Sequence, residues 1–176
     1  MQELQQLIQE CAGRNRLAQE ELYRKFYPPL FLLCKRFFAN DHEALECLND
    51  GMLKVYNKIG EFKNDKGDFF NWLYTIVRNT ALDKLKSKPP LPLQEINERI
   101  EFVYENNPLE ALEWKDIYKL LDVLTPAARV VCTLFYIEGF KIKEISEQLN
   151  LSAGTIKWHL SEIRLKLKPV LKNHYF

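Results

Sequence analysis

Glycine is scarce in this 176-residue chain, at six residues, and alternation of apolar and polar side chains at strand spacing is hard to find. The first absence leaves no glycine-rich loop to cradle a phosphate; the second argues against sheets and barrels. No apolar run approaches the roughly 20 residues that a membrane span requires, so no membrane insertion is expected. The opening "MQELQQLIQE" is polar and amphipathic, which is not the pattern of a secretory signal. Four cysteines (Cys11, Cys34, Cys47, Cys132) include no C-x-x-C pair. They read as buried reduced thiols of a cytoplasmic protein rather than as a disulfide or metal framework. His42, His159 and His174 are too scattered to form a ligand pair, and no metal or cofactor site is expected. No Ser/His/Asp arrangement or paired-carboxylate cleft can be assembled, so an enzyme is the least favoured class. Excess charge is lacking too: the net formal charge is only +1.

The chain is rich instead in apolar residues (47%) and aromatics (12%), a composition for packed cores rather than disorder. Apolar positions recur at helical spacing almost everywhere, which predicts an all-α fold. The near-zero charge conceals a division. Residues 1–88 carry 14 basic against 12 acidic side chains, residues 89–113 carry 1 against 6, and residues 114–176 carry 10 against 6. Two mildly basic blocks flank an acidic connector, a pattern suited to two modules working on a polyanion. "SKPPLPLQEINERIEFVYENNPLE" (87–110) holds four of the eight prolines, and Pro89, Pro90 and Pro92 forbid a regular helix there. Two small helical domains, 1–88 and 109–176, joined by a Pro-rich acidic linker over 89–108, are therefore expected.

Within the second module, "KIKEISEQL", the turn "NLS" and "AGTIKWHLSEIRLKL" form a helix-turn-helix pattern. Asn150 stands where the turn wants a left-handed residue, and asparagine tolerates that backbone. Ser152 is the expected N-cap, which leaves first-turn amides available to an anion. At 100° per residue, Ile156, Leu160, Ile163 and Leu167 form the core stripe of the second helix. Gly154, Trp158, Ser161, Glu162 and Leu165 stand opposite, with Lys157, Arg164 and Lys168 on one flank. Groove binding is one reading of this face, and a plain helical hairpin with Trp158 packed on a neighbour such as Trp114 is the other. Thr125-Pro126 marks a helix start and Gly139 a helix stop.

The first module predicts four helices. Pro28-Pro29 should kink or split the second, Asp41 should cap the third, and Asp68 the fourth. On the third, Leu45, Leu48, Met52, Val55, Tyr56 and Ile59 share the core side. Across from them Leu53 sits among Glu46, Asn49, Asp50 and Asn57, which fits either a contact with a basic protein or an ordinary solvated face. The fourth helix buries Phe69, Leu73, Ile76 and Val77 and turns Asn71, Tyr74, Thr75 and Arg78 outward. The polar loop "EFKNDKGD" precedes it. Such side chains suit unstacked bases, and equally a plain polar face.

Taken together, "AQEELYRKFYPPLF", "HEALECLNDGMLKVYNKI", "GDFFNWLYTIVRNTALDKLK" and "EGFKIKEISEQLNLSAGTIKWHL" resemble, in order and spacing, the blocks of bacterial RNA polymerase sigma factors of the small extracytoplasmic-function (ECF) group. The resemblance spans nearly the whole chain. It implies that Glu46, Asn49, Asp50 and Leu53 dock on the clamp helices of core RNA polymerase. It implies that Phe62, Lys63, Asn64, Asp65, Asn71, Tyr74, Thr75, Arg78 and Asn79 hold the melted minus-ten strand. It also implies that Ser152, Ala153, Gly154, Thr155, Lys157, Trp158, His159, Ser161, Glu162 and Arg164 read the minus-thirty-five duplex of promoter DNA. An anti-sigma factor that covers these surfaces is a further partner the resemblance implies. The acidic linker would then thread the polymerase's RNA path. A near-neutral charge is compatible with DNA work when the polymerase supplies most of the phosphate contacts that dominate affinity.

The chain departs from the group's pattern on the reading helix. Trp158 replaces a serine, and His159 and Glu162 replace arginines. Replacing arginine by glutamate removes a guanine reader and adds repulsion toward phosphate, so an atypical minus-thirty-five preference is expected. Leu45 and Cys47 also stand where an acid and an aliphatic are usual. The alternative function is a free-standing helix-turn-helix regulator that uses the C-terminal module alone, and a pure interaction adaptor is a third.

Overall fold

A computed structural model describes residues 2–63, 67–87 and 114–175. The linker 89–108, with Asn64 and Asp65 of the polar loop, lies outside these residues. Every regular element among the described residues is helical, and no helix among them is long and apolar enough to cross a membrane. The chain divides into two compact units, Met1–Lys84 and Leu85–Phe176.

In the first unit, α1 (Gln2–Ala12) leads through Arg14, in the left-handed region at φ 61°, to Asn15. The Asn15 side chain accepts from the amides of Leu17 and Ala18 and caps α2 (Arg16–Phe37). α2 runs unbroken through Pro28 and Pro29, contrary to the expected split. Both prolines are exposed, so the carbonyls they leave without amide partners face water, and the missing bonds cost less there than in a core. α3 (Asp41–Lys58) is capped by Asn40, whose side chain accepts from the His42 amide at 2.7 Å. The cap thus falls one residue before the expected Asp41, which sits in the first turn and pairs with Lys35. A 3₁₀ turn, Ile59–Glu61, follows. α4 (Phe69–Ser87) starts where Asp68 accepts from the Asn71 amide at 3.2 Å, the expected cap.

The α3 stripe needs one correction. Leu48, Met52, Val55 and Ile59 are buried as expected, but Leu45 is 37% exposed and the stripe is completed by Ala44, Cys47 and Gly51. Each fully buried leucine or valine contributes about 1.5–3 kcal/mol. Gly51 sets how closely α3 approaches α4, because a Cβ there would stand 3.0 Å from Val77 Cγ2 and 3.3 Å from Val77 Cα. On α4, Phe69, Leu73 and Val77 are buried, and Ile76 is half-buried. All four cysteines are buried and free.

The second unit contains α5 (Trp114–Asp122) and α6 (Pro126–Cys132), which continues as a π-helical stretch over Thr133–Ile137. Thr125 accepts from the Ala128 amide, and Pro126 opens the helix as expected. Gly139, at φ 72°, takes the chain out of it. Arg129, 4% exposed, ties α6 to α5 through Asp122 at 2.8 Å. α7 (Ile142–Leu149) opens where the Glu144 carboxylate accepts from the Lys141 amide at 2.7 Å. It closes on Asn150 at φ 53°, ψ 43°, the left-handed residue the turn required. The Ser146 hydroxyl donates to the Leu151 carbonyl at 2.5 Å, and the Leu151 amide donates to the Ser146 carbonyl at 3.1 Å, fixing the turn. α8 (Ala153–Tyr175) then packs on α6 and α7 through Ile156, Leu160, Ile163 and Leu167, each 2% exposed or less.

Candidate functional site

Three surfaces carry the residues singled out by sequence. On α3, Glu46, Asn49, Asp50 and Leu53 are all exposed, Leu53 by 60%. They are not loose. Lys84 reaches across from α4 to Glu46 Oε2 at 2.9 Å and Asp50 Oδ2 at 3.3 Å. Burial alone would lower its pKa, but the hydrogen bonds to Glu46 and Asp50 outweigh that and hold the ammonium above the ordinary lysine value. The carboxylates stand one helical turn apart, where like charges repel, and Lys84 relieves the repulsion. The Tyr23 hydroxyl donates to Asn49 Oδ1 at 2.8 Å, so the amide is held from α2. Sequence spacing within α3 gave no sign of either clamp, because both partners lie on other helices.

The second surface is a cleft of about 410 Å³ lined by Glu61, Phe62, Lys63, Gly67, Asp68, Asn71, Trp72 and Thr75. Phe62 and Trp72 form its aromatic wall, with ring centroids 5.5 Å apart, and the buried Phe69 backs Phe62 at 4.9 Å. The cleft gathers Phe62, Lys63, Asn71 and Thr75 from the expected set and adds Trp72. Its membership was readable in retrospect: residues 68, 71, 72 and 75 share one helix face at spacings of three and four. Arg78 is half-buried and Asn79 exposed, and neither lines the cleft. Tyr74 also lies off it. Its hydroxyl accepts from the buried Arg36 at 3.0 Å, so the tyrosine braces α2 against α4.

The third surface is the front of α8. Ser152 Oγ accepts from the Thr155 amide at 3.0 Å and hydrogen-bonds Thr155 Oγ1 at 2.9 Å. Ala153, Gly154 and Lys157 are exposed, while Thr155 and Trp158 are half-buried. Two expected readers are not on the surface. His159 is 2% exposed and Ser161 9%. α8 packs on both α6 and α7, and its buried arc is therefore wide enough to take in His159 beside Leu160. Ser161 has Trp158 and Leu165 at three and four residues' spacing, and a hydroxymethyl is short enough to lie below both. Neither His159 nitrogen has a hydrogen-bond partner among the described residues, and Glu162 Oε2 stands 3.5 Å from Nδ1. Burial lowers the imidazole pKa, against an opposing pull from Glu162. Glu162 is itself engaged by Lys166 at 2.7 Å. Arg164 is half-buried and its Nε donates to the Tyr136 hydroxyl at 3.0 Å.

With these surfaces described, comparison with known proteins is informative. Residues 22–89 match the Sigma-70 region 2 family and residues 114–167 the Sigma-70, region 4 family. The chain belongs to the extracytoplasmic-function group of RNA polymerase sigma factors. The α3 face and the cleft fall within the region 2 match, and the whole helix-turn-helix within the region 4 match. The ECF RNA polymerase sigma factor SigE of Mycolicibacterium smegmatis is 26% identical over 88% of this chain, which spans 62% of that relative's length. The RNA polymerase sigma-H factor of Pseudomonas aeruginosa is 23% identical, covering 96% of this chain and 93% of its own. Among solved structures, the sigma factor RpoE of Bartonella quintana, in complex with the anti-sigma factor NepR, aligns with 19% identity and a TM-score of 0.45 over 87% of this chain and 96% of that one.

Proposed function

We propose that this sigma factor divides its work among the three surfaces just described. Residues 1–88 dock on core RNA polymerase through Glu46, Asn49, Asp50 and Leu53, an exposed leucine ringed by carboxylates and amides that suits a basic partner with an apolar centre. The same module holds an unstacked base of the melted minus-ten strand in the cleft, with Phe62 and Trp72 for stacking and Lys63, Asn71 and Thr75 for polar contacts. Base-on-aromatic stacking is worth about 1–3 kcal/mol per base. Arg78 and Asn79, a turn further along α4, continue that surface toward the strand, and Asn64 and Asp65 are assigned to the same strand by the family resemblance alone.

Residues 109–176 present α8 to the major groove of the minus-thirty-five duplex. The capped N-terminus takes a phosphate, Lys157 flanks it, and Ala153, Gly154, Thr155 and Trp158 face base edges. The linker 89–108 joins the two modules. The protein works in the cytoplasm and is not an enzyme: it supplies promoter choice while the polymerase supplies the chemistry. An anti-sigma factor would silence it by covering the α3 and α8 faces.

The observation that carries this reading is the pairing, in one chain, of a region 2 match bearing an acidic face centred on Leu53 with a region 4 match bearing a capped helix-turn-helix. Pull-down with core polymerase, followed by run-off transcription on a pool of promoters, tests it. Association and redirected initiation are expected. Tight binding to duplex DNA without affinity for the polymerase would instead identify a free-standing regulator.

A further inference from the structure

The front of α8 has had its charges drawn inward or aside. Glu162 is engaged by Lys166 at 2.7 Å, the Arg164 Nε donates to the buried Tyr136, and His159 is enclosed at 2% exposure. Ser152 Oγ serves the Thr155 amide. In the first two turns, the part of a recognition helix that meets base edges, the outward groups are the methyl of Ala153, the bare backbone of Gly154, the half-buried Thr155 bonded to Ser152 Oγ, the half-exposed indole of Trp158 and, as the one cation, Lys157. The Trp158 ring meets the His159 imidazole edge-to-face, with centroids 4.8 Å apart. Leu165, 74% exposed, continues this apolar line along the helix. Lys157 stands 100° round the helix from Trp158, on the flank suited to phosphate.

Guanine is read by a guanidinium or ammonium placed against O6 and N7, whereas thymine alone offers a methyl group to an apolar side chain in the major groove. We infer that the duplex element this sigma factor selects upstream of the start site is read through thymine methyl groups against Trp158. The inference rests on the promoter-reading role given to α8 above, and it names what that helix reads. Gly154 belongs to the same surface, since a bare backbone lets the thymine edge approach the helix closely.

The test uses the full chain bound to core polymerase and a pool of duplexes randomised upstream of the start site. Thymine should be enriched at one position or more. Selected duplexes are then resynthesised with deoxyuridine for every thymine in the randomised segment alone, which removes only the 5-methyl groups. Binding should weaken by about four-fold for each contacted methyl, the value of one buried methylene. Trp158→Ala should shrink the thymine–uracil difference, while Leu17→Ala, at an exposed leucine of the first unit, should leave it in place. The comparison on the unsubstituted protein decides the matter whether or not the tryptophan variant folds. Enrichment of guanine, with thymine and uracil duplexes bound equally, overturns the inference and leaves the promoter-reading role intact. Failure to initiate from any member of the pool overturns both.

Discussion

Helices α3 and α8 invite comparison because each presents a leucine more than half exposed among charged neighbours, Leu53 at 60% and Leu165 at 74%. On α3 every residue that helical geometry turned outward is exposed, and the acids there are held by a lysine from another helix. On α8 two of the residues expected at the surface are buried, and the acid is held by a lysine one turn along the same helix. The α3 arrangement fixes the spacing of two carboxylates through tertiary structure. The α8 arrangement silences one carboxylate locally and leaves an apolar front. One face is thus built to present charge, and the other to withhold it.

The sharpest way to break this comparison is Leu53→Asp. Charge at the centre of the α3 face should weaken association with core polymerase by about 30-fold or more, as for an interface hot spot. The helical circular dichroism should be unchanged, because the site is exposed; normal association would mean the docking face is misplaced. Next comes one substitution made in both helices. Gly51→Ala forces a methyl to 3.0 Å from Val77 Cγ2 and should cost about 1–3 kcal/mol of stability, read as a lowered Tm of the first unit. Gly154→Ala meets only Ser152 Oγ at 3.5 Å and should leave stability level or slightly raised, alanine being the better helix former.

Lys84→Met should act more gently and in the opposite sense. Removing the cation uncovers both Glu46 and Asp50, so association with a basic partner should speed up several-fold at low salt, and the gain should fade at high salt. A slower association that salt does not affect would show that Lys84 matters only for holding the carboxylates in place. The smallest effect is expected at His159, whose pKa burial holds below the ordinary imidazole value of 6.5. The folded chain then resists a proton that the unfolded chain accepts. The second unit should keep its full stability above about pH 6.5 and lose part of it as the pH falls toward the lower folded-state value. In His159→Leu, thermal melts across that range should lose this slope.

Much of the local structure was legible because its causes are local. Asp68 and Thr125-Pro126 start helices, Gly139 and Asn150 end them, and Ser152 caps α8, each through an interaction spanning a few residues. The core stripe of α8 followed from period alone. Local rules failed where two neighbouring candidates competed, as with Asn40 and Asp41, or where a rule assumed burial that is absent, as with the exposed Pro28 and Pro29. The cleft was half legible: its polar members on α4 stood out as outward residues, but Trp72, at the margin of the buried side, joins them only when Phe62 is brought against it. The π-helical stretch over Thr133–Ile137, which carries the buried Tyr136 to Arg164, has no signature in the pattern of residues around it.

The order of amino acids by itself determined that this chain would be helical, that two modules would lie either side of an acidic proline-bearing segment, and which turn would join α7 to α8. Those outcomes depend on backbone preferences and on hydrophobic period, and both act over a few residues. Tertiary structure alone decided which polar side chains are available to a partner. Lys84 came to Glu46 and Asp50 from 34 or more positions away, and His159 was buried in the packed α8. Burial and charge pairing are properties of what packs alongside, and helical period cannot report what that will be.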